Sequence, residues 1–120
     1  MTRILAVDDE RLYQHLLEVN LQKEGFEVIT AGNGLDALEM VTSRQPDLVI
    51  MDIMMPKMDG LEATRIIKAD AKTRHIPIIA LTSYAMKGDR ERTIEAGCNG
   101  YMAKPIDIQE VLKTIEHYLQ

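Results

Sequence analysis

Acidic residues stand at two points of this chain where a hydrophobic run stops. Ile4-Leu-Ala-Val7 is followed by Asp8, Asp9 and Glu10, and Leu48-Val-Ile-Met51 is followed by Asp52. A third run, Ile76 to Leu81, ends on Thr82 and Ser83, and the short Gly100-Tyr-Met-Ala103 leads into Lys104. Carboxylates packed a few ångströms apart repel one another unless a proton or a cation compensates. A hard divalent ion with oxygen ligands does so, and Mg²⁺ suits a site that offers few carboxylates and keeps several waters. Lys104 supplies a point charge for an anion, and the Thr82 hydroxyl a hydrogen bond to it. Metal, nucleophilic carboxylate, ammonium and hydroxyl together describe phosphoryl transfer, which depends on positioning and charge neutralisation. Aspartate is a known acceptor of phosphoryl groups. Taken singly, each residue has a plainer reading: Asp8 to Glu10, and Thr82 with Ser83, as helix caps, and Lys104-Pro105 as a loop before a helix. Only the joint placement at successive strand ends favours chemistry.

That placement depends on the elements. Short β-branched runs alternate with segments of helical period throughout, giving βαβαβαβαβα. The strands are read as Arg3–Val7, Phe26–Thr30, Asp47–Asp52, Ile76–Thr82 and Gly100–Ala103. The first helix carries Tyr13, Leu16, Leu17 and Leu21 at steps of three and four, and Gly25 ends it. Asn33-Gly34 reads as a turn; Ala37, Leu38 and Val41 mark the second helix, which stops before Pro46. Gly60 opens a third helix with Ala63, Ile66 and Ile67. The fourth, from about Lys87 to Ala96, has little apolar content besides Ile94 and should hold the core weakly. The fifth has the cleanest stripe: Ile108, Val111, Leu112, Ile115 and Leu119.

Such alternation implies a parallel sheet with right-handed crossovers and helices on both faces. Strands one, three and four are continuous apolar runs, as central strands should be, whereas strand two alternates and strand five is short. The expectation is a doubly wound, flavodoxin-like (βα)5 α/β fold of order 2-1-3-4-5. Its ligand crevice would lie at the carboxyl ends of strands one and three.

Composition narrows the function classes. With 120 residues, 46% hydrophobic and 28% charged, the chain reads as one ordinary water-soluble domain, 1–120, with no output domain. No apolar stretch approaches the ~20 residues that span a bilayer, and no signal sequence is apparent, so a cytoplasmic location and no membrane partner are expected. A net charge of −5 disfavours nonspecific nucleic-acid binding. The lone Cys98 reads as a small buried hydrophobe. His15, His75 and His117 lack metal-site spacing, and Met54, Met55 and Met58 read as core fillers, because Mg²⁺ avoids thioethers.

The segments Ile4–Asp9, Asp47–Pro56 with Gly60, Ala80–Thr82 and Gly100–Pro105 together resemble the receiver domain of two-component response regulators, over essentially the whole chain. The resemblance implies that Asp52 is a phosphoacceptor, charged from the phosphohistidine of a sensor histidine kinase or a histidine phosphotransfer protein. It implies a Mg²⁺ site, with Mn²⁺ as an alternative, held by Asp9 directly, Asp8 mainly through water, Asp52 and the Met54 main-chain carbonyl. Lys104, Thr82 and Ser83 would bind the phosphoryl group, and Thr82 and Tyr101 would be coupled parts of a switch acting on the face of helix four, strand five and helix five. Pro56 and Gly60 would shape the loop after Asp52, the Lys104-Pro105 bond would be cis, and Met54 and Tyr84 would tune dephosphorylation. The Thr82–Asp89 segment is similar to stand-alone receivers and those of hybrid kinases. The chemistry would be self-catalysed phosphotransfer and autodephosphorylation, not the work of a separate enzyme. A haloacid-dehalogenase-like phosphatase would want a second acid where this chain has Met54, and a phosphorylation-independent scaffold would have no use for the acid cluster; both are disfavoured.

Overall fold

The computed structural model describes residues 1–55, 58–82 and 88–119, the side chain of Asp89 excepted. The elements are β1 (Arg3–Val7), α1 (Arg11–Lys23), β2 (Glu27–Ala31), α2 (Gly34–Arg44) and β3 (Leu48–Asp52), followed by α3 (Gly60–Ala69), β4 (Ile78–Thr82), α4 (Asp89–Ala96), β5 (Gly100–Ala103) and α5 (Ile108–Leu119). All strand pairs are parallel, and the order is β2-β1-β3-β4-β5, as the runs of apolar residues require.

Alternate residues of the central strands divide the core between the two sheet faces. Leu5, Val7, Val49, Met51, Ile78 and Ala80 pack with Ala37 and Val41 of α2, Ala63 and Ile67 of α3, and Ala96 of α4. Ile4, Ala6, Leu48, Ile50, Ile79 and Leu81 pack with Leu17 and Leu21 of α1 and Val111 and Ile115 of α5. β3 and β4 are buried from end to end.

Capping sets where the helices begin. The Asn33 side chain accepts a hydrogen bond from the Asp36 N–H at 2.9 Å, and Asp59 does the same for Glu62 at 2.9 Å. Asn33-Gly34 is thus the cap and first residue of α2, not the turn its composition suggests. α1 starts differently: its N-cap is Glu10, whose side chain makes no capping bond. The acidic run before it is therefore not there to cap.

Other expectations shift too. β4 begins at Ile78, two residues later than read, because Pro77 has no N–H to give the ladder; its carbonyl still accepts from the Val49 N–H at 2.9 Å. Ile66 and Ile94, apolar residues that mark helices three and four in the sequence, are exposed, at 44% and 60%. α4 starts at Asp89, and it touches the core through Thr93 and Ala96. Met54 is exposed while Met55 and Met58 pack against the core. Cys98 is buried, as expected; burial pushes its thiol pKa up, opposed by a hydrogen bond to Thr64 Oγ1.

Candidate functional site

Register brings the acidic strand ends together. Val7 lies opposite Met51 in the β1–β3 ladder, so Asp8 and Asp52 follow at one level on neighbouring strands. The Asp8 N–H donates to the Ala31 carbonyl at 3.0 Å and the Ile53 N–H to the Leu81 carbonyl at 3.1 Å, so both backbones are still held by the sheet where the carboxylates emerge. On the other side Thr82 pairs with Ala103, and the Lys104 N–H donates to the Thr82 carbonyl at 2.7 Å. Lys104 is thus delivered to the crevice by the last backbone bond of β4 and β5. The Lys104-Pro105 peptide is cis.

The side chains converge on the Lys104 ammonium. Its Nζ lies 2.9 Å from Asp8 Oδ2, 3.4 Å from Asp52 Oδ2 and 3.5 Å from Glu10 Oε1, and the lysine side chain is only 5% exposed. The other oxygens are used locally: the Glu10 N–H donates to Asp8 Oδ1 at 2.9 Å, and the Met54 N–H to Asp52 Oδ1 at 3.0 Å. Each aspartate is therefore fixed by one oxygen and presents the other to the crevice. Asp8 and Asp52 are both buried.

Burial is costly for such a cluster. Removal from water pushes the Asp52 carboxyl up to about 6, with the Met54 hydrogen bond opposing, the Asp8 and Asp9 charges adding, and Lys104 opposing. For Lys104 burial works against the charge, but the Asp8 contact and the Asp52 and Glu10 charges outweigh it, so its pKa is raised.

The donor set fits a hard cation. Carboxylate oxygens of Asp8, Asp9 and Glu10 lie within 4.8 Å of one another, Asp8 buried and the other two exposed. Asp8 Oδ2 is buried and, among the described residues, accepts no hydrogen bond of good geometry; its close contact with Lys104 is one of charge. A buried carboxylate oxygen in that condition is an available ligand, and oxygen-only donors select Mg²⁺ or Mn²⁺ over softer ions. The compact trio contains Glu10 and not Asp52, which joins the cluster through Lys104.

The remaining expected site residues sort as follows. Thr82 is buried at the end of β4, and Tyr101 is half-buried against the Leu5–Met51 face of the core, two residues back along the register at Ala80. Gly60 packs so closely on β3 that a Cβ there would collide with the Asp52 carbonyl oxygen and come within 2.8 Å of Ile53 Cα, which is why this loop needs glycine. Met54, whose N–H is bound to Asp52, has a side chain left 56% exposed. Ser83, Tyr84 and Pro56 lie outside the described residues. Sequence reasoning misses the part played by two residues. It places Glu10 at the strand end without a partner, and Tyr13 in an apolar stripe, whereas the Tyr13 ring centroid lies 4.1 Å from Lys104 Nζ. Their closeness in the chain, across the start of α1, is the signal that could have joined them. α4, β5 and α5 border a groove of about 490 Å³ whose lining includes Arg90, Ile94, Tyr101, Lys113 and Tyr118.

Among known proteins, the family model described as the response regulator receiver domain matches residues 4–116. The polar-differentiation response regulator DivK of Brucella anthropi is 42% identical over 116 residues, 97% of this chain and 94% of that protein. Among solved structures, the Vibrio cholerae chemotaxis protein CheY4 superimposes with a TM-score of 0.93 at 30% identity, covering 99% of each chain. The receiver domain of a sensor histidine kinase from Pseudomonas aeruginosa, solved with a magnesium ion coordinated in its active-site cleft, gives 0.91 at 36% identity, covering 98% of this chain and 97% of that one.

Proposed function

Because this chain belongs to the response regulator receiver domain family, we propose that it is a phosphorylation-controlled switch in which Asp52 takes a phosphoryl group from a phosphohistidine and the α4–β5–α5 face then changes its binding. The observation that carries this reading is the Lys104 ammonium, set 2.9 Å from Asp8 and 3.4 Å from Asp52 at the predicted crevice. Nothing in strand packing alone asks for a lysine and two aspartates at 0–5% exposure.

The donor is a sensor histidine kinase or a histidine phosphotransfer protein. Asp52 Oδ2 attacks phosphorus; the P–O bond forms as the P–N bond breaks, and the departing imidazole keeps the electron pair and takes up a proton. The Met54 N–H, bound to Oδ1, holds the carboxylate so that Oδ2 leads. Lys104 pairs with a phosphoryl oxygen as the charge arrives, and Thr82, with Ser83, donates a hydroxyl hydrogen bond to another. Asp9 directly, Asp8 mainly through water, Asp52 and the Met54 main-chain carbonyl would hold Mg²⁺ (or Mn²⁺), which supplies charge neutralisation when bound. The magnesium in the Pseudomonas receiver's cleft supports a Mg²⁺ site of this kind. Thr82 moving toward the phosphoryl group gives the Tyr101 ring room to turn inward, which remodels the groove beside α4 and α5 for a downstream protein. The reaction is self-catalysed, with no separate substrate turned over, and the setting is cytoplasmic, without nucleic acid or membrane.

Incubation with Mg²⁺ and acetyl phosphate, followed by intact mass, tests the reading. One phosphoryl adduct is expected, absent in Asp52→Asn and without divalent ion; turnover of varied phosphoesters would indicate a phosphatase instead. The bulk of Met54 and Tyr84 is expected to hinder the hydrolytic water, so a Met54→Asn, Tyr84→Ala variant should lose its adduct faster than the wild type.

A further inference from the structure

We propose that Tyr13 is a positioning residue for Lys104, its ring forming the wall that holds the ammonium over Asp52 whether or not the crevice is loaded. This rests on the reading that Lys104 meets the phosphoryl group. The Tyr13 ring centroid lies 4.1 Å from Nζ, well inside the range of a cation–π contact. Because the lysine side chain is 5% exposed, little water competes for that contact.

The ammonium has two kinds of partner. Asp8, Asp52 and Glu10 are carboxylates at 2.9, 3.4 and 3.5 Å. They are also the groups on which a divalent cation and a phosphoryl group would draw, so their hold on Lys104 changes with loading. Tyr13 is neutral and offers a hard cation no carboxylate, so its hold does not change. Its backbone is well anchored, since the Tyr13 N–H donates to the Glu10 carbonyl at 3.1 Å within the first turn of α1. Glu10, the N-cap of α1, and Tyr13, in its first turn, flank the same ammonium. The interaction uses the face of the ring, so phenylalanine can replace tyrosine and an aliphatic residue cannot.

The test uses the full chain in wild-type form and as Tyr13→Phe and Tyr13→Leu, with two readouts. In NMR spectra of lysine-labelled protein, the Lys104 ε-methylene protons, identified by their loss in Lys104→Arg, should be shifted upfield by the ring in the wild type and in Tyr13→Phe, and not in Tyr13→Leu. The rate of adduct formation from acetyl phosphate with Mg²⁺, followed by mass, should be retained in Tyr13→Phe and fall roughly three- to tenfold in Tyr13→Leu, as loss of a partly buried cation–π contact implies. An unshifted Lys104 in the wild type overturns the proposal even if the leucine variant fails to fold. An Asp52 adduct that forms equally fast in a folded Tyr13→Leu overturns it as well, while leaving the receiver function standing. No adduct in the wild type defeats that function, and this proposal with it.

Discussion

At the scale of single residues the crevice is a set of groups held against their preferences. Asp52 would ordinarily titrate near 3.8 and is pushed up to about 6, first by burial and then, against the Met54 hydrogen bond, by the charge of Asp8. The sign of the consequence follows from proton linkage. Between those two values the folded protein binds a proton that the unfolded chain does not, so this group adds stability as pH falls from 7 toward 4 and removes it as pH rises through 6. In buffer containing a chelator, thermal unfolding should therefore show a higher Tm at pH 5 than carboxylates of ordinary pKa would give. Asp52→Asn, which is neutral at all pH, should flatten that slope and at pH 7.5 be more stable than wild type by about 1 kcal/mol. Excess Mg²⁺ should abolish the difference in slope; a slope that survives in the Asn variant would place the titration elsewhere. Much of this cluster is readable from the chain, because acid after an apolar run marks a strand end. The contacts are not: Lys104 and Glu10 are 94 residues apart, and no local pattern reports a pairing at that distance.

Elements differ in how firmly they are tied down. α4 has eight residues, is flanked by glycines in the left-handed region, has no side-chain cap, and of its described side chains sends only those of Thr93 and Ala96 fully inside. Native-state hydrogen exchange should show its amides opening well below the global free energy, while those of β3 and β4 exchange only on full unfolding. Equal protection in α4 and β3 would contradict this. α3 is the opposite case, because its first residue is pressed onto β3. Gly60→Ala would gain helix propensity, but the new methyl meets backbone at Asp52 and Ile53, which cannot swing aside as a side chain could. A net loss of about 2 kcal/mol is expected in urea unfolding. The low apolar content of α4 is visible in sequence, and its loose attachment follows from it. The direction of Ile66 and Ile94 is not, since helical period identifies a stripe but not which neighbour, sheet or helix, the stripe meets. Asn33-Gly34 misleads for a related reason: asparagine favours turns and helix caps by the same side-chain hydrogen bond.

For the whole molecule, strand order decides how far an event in the crevice is felt. Asp8 and Asp52 continue β1 and β3, and each of those strands is paired on both sides, β1 with β2 and β3, β3 with β1 and β4. Their repulsion therefore acts where the sheet is most tightly bound, and cannot be relieved by fraying an edge. A ligand that neutralises it binds only when both strand ends are in register, so its binding energy stabilises the global fold. At a concentration of Mg²⁺ one hundred times its dissociation constant, linkage adds about 2.7 kcal/mol to unfolding, equivalent to an ~100-fold slowing of exchange for amides that open only globally. The expected pattern is thus uneven: β1, β3 and β4 amides slow by that full factor, whereas those of α4, which open locally and without separating Asp8 from Asp52, keep their rate. Exchange measured with Mg²⁺ and with chelator checks it. Slowing confined to the residues beside the crevice would mean that the strand ends open independently of the sheet, and that the site is a loop device grafted on the fold and not part of its centre.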